Sequence, residues 1–215
     1  MISPEWISAL ANVVMAVGII LVWYQASLSR KQLEASNRAL AADHERSRRE
    51  LTLITMYNWN KDVGPTTAAA ERLIQRFTEA QCRDIVQNRP IPISKDYVPI
   101  ARAVLGELLP PDQPTAADGT LTLNEAQVSQ IRYILADYLN ILETTFTAWQ
   151  LGIVDTNMIE QQFQFLLSPQ HGFNILEPFR TAMGGVECYP SSYAFMKRLQ
   201  ERYDTRVAPS KSPVA

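Results

Sequence analysis

From Trp6 to Tyr24 the chain reads WISALANVVMAVGIILVWY, a run without one charged residue whose polar side chains are Ser8 and Asn12. At about 1.5 Å of rise per residue a helix over this run reaches roughly 28 Å, close to the ~30 Å hydrocarbon core of a bilayer. Trp6 stands at one end and Trp23 with Tyr24 at the other, where amphipathic rings suit the headgroup layer. The pattern predicts a transmembrane helix. A cleaved secretory leader needs a basic start and a small-residue cleavage site, whereas this chain begins MISPEW and the run ends on bulky aromatics.

Beyond Tyr24 the pattern changes. Gln25 to about Asn60 has no Pro or Gly and is rich in Ala, Leu, Glu, Arg and Gln, so the span is expected to continue into a helical stalk. Leu33, Leu40, Leu51 and Ile54 make a partial heptad broken by His44 and Ser47. Two outcomes fit: a coiled coil, or a solvated helix whose last turns dock on a domain through Leu51, Ile54, Met56, Tyr57 and Trp59.

Gly64-Pro65 is the first strong break. Thr66 is the expected cap of a helix carrying Ala68, Leu73, Ile74, Phe77 and Ile85. Arg89-Pro90-Ile91-Pro92 reads as an extended breaker, Ser94 or Asp96 as the start of a short helix with Val98, Ala101, Val104, Leu105 and Leu108, and the Pro110–Gly119 stretch as a mobile loop. No alternation of strand length is found. The longest internal helix is expected over Thr122–Leu151, capped by a Thr122/Glu125 box and stopped at Gly152. Its apolar face holds Ile131, Ile134, Leu135, Tyr138, Leu139, Leu142, Phe146 and Trp149. Asp155 should cap a helix ended by Pro169, Phe173–Met183 should form another, and Ser191 or Ser192 should cap the last.

The fold class expected is therefore all-α: a single N-terminal transmembrane helix continuing into a stalk, then a cytoplasmic helical bundle. Its parts are an anchor over 1–24, a juxtamembrane stalk over 25–62, a helical domain over 63–205 and a disordered tail over 206–215.

Composition alters this picture little. The 47% hydrophobic content excludes wholesale disorder, and a net charge of −2 argues against dedicated nucleic-acid binding. Charge placement matters more. No Lys or Arg precedes the span, while Arg30, Lys31, Arg38, Arg46, Arg48 and Arg49 follow it, which puts the N-terminus outside and the remainder in the cytoplasm. Cys82 and Cys188 are then expected as free thiols, with Cys188 a buried, inert one.

The charged stretch HERSRRE leading into LTLITMYNWN, the block YLNILETTFTAWQLGIVD, and EPFR followed by YPSSYAFMKRLQERY together resemble the bacterial domain of unknown function 4760 family. The resemblance covers most of the chain. It implies a bacterial inner-membrane, single-pass helical protein without established catalytic activity; by analogy, some small anchored helical proteins act in defence against phage.

Sites of chemistry are few. There is no phosphate-binding glycine loop, zinc-protease motif or nucleophile elbow, and no cofactor or metal is expected. Cys188 with His171 lacks a surrounding catalytic motif. Arg38 and His44 have the spacing of a helical prokaryotic RNase motif, although Ala39 stands where such motifs carry a polar residue. Trp6, Trp23, Tyr24, Arg30 and Lys31 are the expected membrane-interface residues, and Ser8, Asn12 and Ala16 a helix-association stripe. Asn12 either pairs across helices or reaches headgroups. Trp149 and the GIVDTN turn, with the Pro110–Pro114 loop, form either a partner surface or plain core and tolerant loop. The reading favoured is an interaction or oligomerisation module whose partners are the bilayer, further copies of the chain and an unidentified protein; the alternatives are a membrane-perturbing homo-oligomer and an RNase.

Overall fold

The structure is a computed structural model that describes residues 4–167 and 176–207, with side chains from 12 to 166 and from 176 to 205. It is predominantly helical, as expected. The chain divides into two units, Met1–Arg48 and Arg49–Ala215. The first holds most of α1 (Pro4–Asp62), a single uninterrupted helix, as the absence of Pro and Gly after Gly18 requires.

In the second unit α2 (Pro65–Ile74) and α3 (Glu79–Val86) replace the one helix expected here. Pro65 starts α2 at the position where a missing N–H is harmless, so Thr66 lies inside the helix and caps nothing. Thr78 ends the continuity: its hydroxyl accepts from Gln81 N at 3.2 Å, and the Gln81 side chain accepts from Thr78 N at 2.9 Å, a reciprocal box that opens α3.

Two short strands, β1 (Ile91–Ile93) and β2 (Leu121–Leu123), form an antiparallel ribbon with Ile91 opposite Leu123 and Ile93 opposite Leu121. All four of these side chains are buried, whereas Pro92 and Thr122 face outward. The extended breaker is thus a strand. Between the strands, Ser94 caps a 3-10 turn over Lys95–Tyr97 that leads into α4 (Val98–Leu105). Leu108 is exposed while Leu109 is buried, so Leu108 falls off the expected face. The proline-rich loop is tied down: Thr115 bridges to Leu121, Ala116 N donates to Thr120 O at 2.8 Å, and the Gln113 amide donates to Thr122 O at 2.8 Å.

Central to the core is α5 (Glu125–Gln150), which packs against α2, α3, α4 and α8 (Pro190–Val207). Its cap is Asn124 with Gln127, because Thr122 is engaged in β2. Gln127 is buried, and its amide also reaches Leu108 O at 2.6 Å and Gln113 at 2.6 Å. The face over Ile131, Leu135, Tyr138, Leu139, Leu142 and Phe146 is buried as expected, and Gly152 at φ +65° follows the helix end.

Asp155 caps α6 (Thr156–Gln162) as expected, accepting from Asn157 N at 3.0 Å and Met158 N at 3.1 Å. The helix expected over Phe173–Met183 is the shorter α7 (Glu177–Ala182), and residues 173–175, Pro169, His171 and the tail beyond Val207 lie outside the described residues. The last turns of α1 dock through Thr52, Met56 and Trp59, which step by four and three along one face, and Val63 just beyond the helix end packs beside them. Leu51, Ile54 and Tyr57 are displaced from that face and exposed, so they are not docking residues. Rings join the elements: Phe146 stacks on Phe195 at 4.0 Å, and Phe163 meets Phe146 at 5.3 Å and Trp59 at 5.1 Å, both edge-on.

The caps give a direct check. Asn124→Ala should lower stability by about 1 kcal/mol in urea titration, and Thr122→Ala should cost clearly less. An equal loss would restore the cap to Thr122.

Candidate functional site

The N-terminal stretch is the clearest candidate. α1 is the one helix among the described residues long and apolar enough to cross a membrane, and none of its apolar window is buried against protein. Asn12, Ala16, Trp23, Tyr24, Arg30 and Lys31 are all exposed on it, Trp23 at 73%. Trp6 and Ser8 lie on the same helix, with side chains outside the described set. An α-helix satisfies its own backbone polar groups, the condition for entering hydrocarbon.

Arg38 and His44 are both exposed on α1. Six residues turn a helix through about 600°, which leaves these two side chains about 120° apart around the axis. Arg38 instead reaches Glu34 at 4.0 Å, an exposed pair one turn away. The structure does not bring the two together.

Polar clusters that sequence reasoning missed lie in the second unit. Glu143 on α5 receives Ser191 N at 2.7 Å, Ser192 N at 2.9 Å and the Ser192 hydroxyl at 2.7 Å. Pro190 occupies the first position of α8, so this carboxylate takes the next two N–H groups and meets the positive end of the helix dipole. Ser191 and Ser192 are therefore capped residues, the reverse of their expected role. Glu160 is buried and accepts from Trp149 Nε1 at 3.2 Å, with Arg202 paired directly and Arg198 at 3.8 Å. Its charge is neutralised by two arginines one helical turn apart on α8. The i,i+4 arginine spacing was visible in the sequence, but their common partner was not.

Trp149 is part of this core. It packs edge-on against Phe195 at 5.0 Å, while Leu151 and Ile153 in the following turn are exposed. Arg180 is also buried, with its guanidinium 4.5 Å from the Tyr193 ring centroid and its Nε without a hydrogen-bond partner.

Both cysteines are free, but their settings are opposite to expectation at one site: Cys82 is buried and Cys188 exposed. Burial, reinforced by the Glu79 charge, pushes the Cys82 thiol up to about 11. Burial likewise raises the Tyr138 and Tyr189 hydroxyls. A groove of about 650 Å³ lies between α3 and α7, with Glu79, Arg83, Gln87 and Glu177 on its walls. Glu79 and Arg83 pair with each other at 3.7 Å. Among the described residues no group of three His, Cys, Asp or Glu side chains converges to hold a metal. Compared with known protein families, curated proteins and solved structures, the chain matches none.

Two measurements follow from this geometry. Glu143→Ala should destabilise the second unit by about 3 kcal/mol, since hydrogen bonds to a charged acceptor are each worth roughly 1.5–3 kcal/mol. Replacing exposed Asp137 should change stability by less than about 0.5 kcal/mol. With iodoacetamide at pH 8 the native protein should gain one adduct, at Cys188, while Cys82 reacts only after unfolding because its thiolate is suppressed. Equal labelling rates would contradict the buried setting of Cys82.

Proposed function

We propose that the chain is a single-pass membrane protein whose C-terminal unit works on the cytoplasmic face as an interaction and oligomerisation module. One observation carries this reading: an uncharged apolar helical stretch that none of the described residues buries is followed, within two turns of Tyr24, by Arg30 and Lys31. Trp23 and Tyr24 mark the cytoplasmic interface, and the basic residues beyond them keep that side inward. The choice of a bacterial inner membrane rests on the family resemblance of the sequence blocks.

The second unit supports the module reading through its chemistry. Two of its carboxylates, Glu143 and Glu160, are engaged by a helix end and by two arginines. In the groove between α3 and α7, Glu79 and Arg83 are paired with each other. An RNase centred on Arg38 and His44 has no supporting observation. A membrane-perturbing assembly is favoured by Asn12, an amide exposed on the apolar stretch that hydrocarbon would tolerate only when paired.

Topology tests the proposal. In intact cells a membrane-impermeant maleimide should label a Ser3→Cys variant, and should reach Cys188 only after the inner membrane is permeabilised. Labelling of Cys188 in intact cells would overturn it.

A further inference from the structure

Seven-residue steps from Asn12 land on Ile19, Ala26, Leu33, Leu40, Ser47 and Ile54. All lie on α1 and all are exposed, Ile19 at 70%, Leu33 at 62%, Leu40 at 56% and Ile54 at 55%. On a straight helix a strict seven-residue repeat drifts by about 20° per heptad, so it defines one seam only where helices wind around each other. The positions between them complete a four-and-three alternation and include Asn37 and Leu51. Ile54 is two residues beyond buried Thr52, about 200° around the helix, and so faces away from the surface on which α1 docks.

We infer that this seam is the contact between two parallel copies of α1, making the chain a homodimer joined from the bilayer into the cytoplasm. The inference rests on the membrane reading above. Anchoring in one membrane with one orientation makes the two helices parallel and in register, which favours a second copy over any other partner. The flanking charges fit that arrangement. Asp43 in one copy faces Arg48 in the other, five residues on, and symmetry forms the pair twice. The remaining flanking pairs are Ser29 with Glu34, Ser36 with Ala41 and Glu50 with Thr55, none of them like-charged. Asn37, the seam amide of the part beyond Tyr24, fixes register there, as a buried seam Asn does in two-stranded coils. Arg30, also on the seam, lies within two turns of Tyr24, close enough for its long stem to carry the charge to the headgroups.

The experiment uses the full chain in native membranes, in a Cys188→Ser background, with single cysteines placed by Leu33→Cys, Leu40→Cys, Ala35→Cys or Ala42→Cys. The last two lie on the outer face of the proposed coil. Mild oxidation should give at least ten times more disulfide-linked dimer at 33 and 40 than at 35 and 42. Replacing the two seam-breaking residues, by His44→Leu with Ser47→Leu, should raise the yield at 40 severalfold. Equal yields at all four positions, or no dimer while the protein remains in the membrane pellet, would overturn the seam. Loss of the protein from the pellet would overturn the membrane reading instead, and a position-specific dimer in the soluble fraction would still uphold the seam.

Discussion

Among the described residues none covers the apolar part of α1, and that constraint governs the rest. Val13, Val14, Val17, Ile19, Ile20 and Val22 are each more than half exposed. Burying such a side chain is worth about 1.5–3 kcal/mol, so these six together represent on the order of 10 kcal/mol, as much as the whole stability of an ordinary domain. The segment needs an apolar solvent. The bilayer proposed above would supply one, and the uncharged run, the terminal aromatics and the basic flank would then belong to a single physical requirement.

The second unit meets a different requirement, the closure of many short helices. Polar groups from remote elements satisfy their ends. The Thr52 hydroxyl of α1 accepts from Asp155 N at 2.7 Å, and Asp155 in turn caps α6. Glu143 of α5 closes the start of α8. The same elements are joined by the aromatic cluster of Phe146, Phe163, Phe195 and Trp59. The last turns of α1 are built into the core of this unit through Thr52, Met56 and Trp59.

What the sequence disclosed depended on range. Long periodic signals were readable, namely the extent of α1 and the buried face of α5, and so was the strictly local cap at Asp155. Features set by few residues or by distant partners were not. Three residues of alternation in Ile91–Ile93 and Leu121–Leu123 are too short to separate a strand from a loop, and the ribbon exists because both segments bury their aliphatics together. Thr78 looked like an interior residue of one helix because the competing box with Gln81 is a local choice decided by packing. Nothing in the sequence near Ser191 points to Glu143, which lies far away in the chain. The docking face of α1 was misplaced for a related reason: a threonine, Thr52, opens it, and its value comes from a backbone N–H in another element.

The candidate site followed the same division. The apolar run and its flanks were legible as composition, and the partial heptad along α1 as spacing. The proposal that α1 crosses a membrane is tested most directly by flotation of the full-length protein with native vesicles after extraction at pH 11. An embedded α1 predicts that the protein floats with the lipid after extraction and leaves it only in detergent. Release of the protein into the soluble fraction by alkali alone would contradict it.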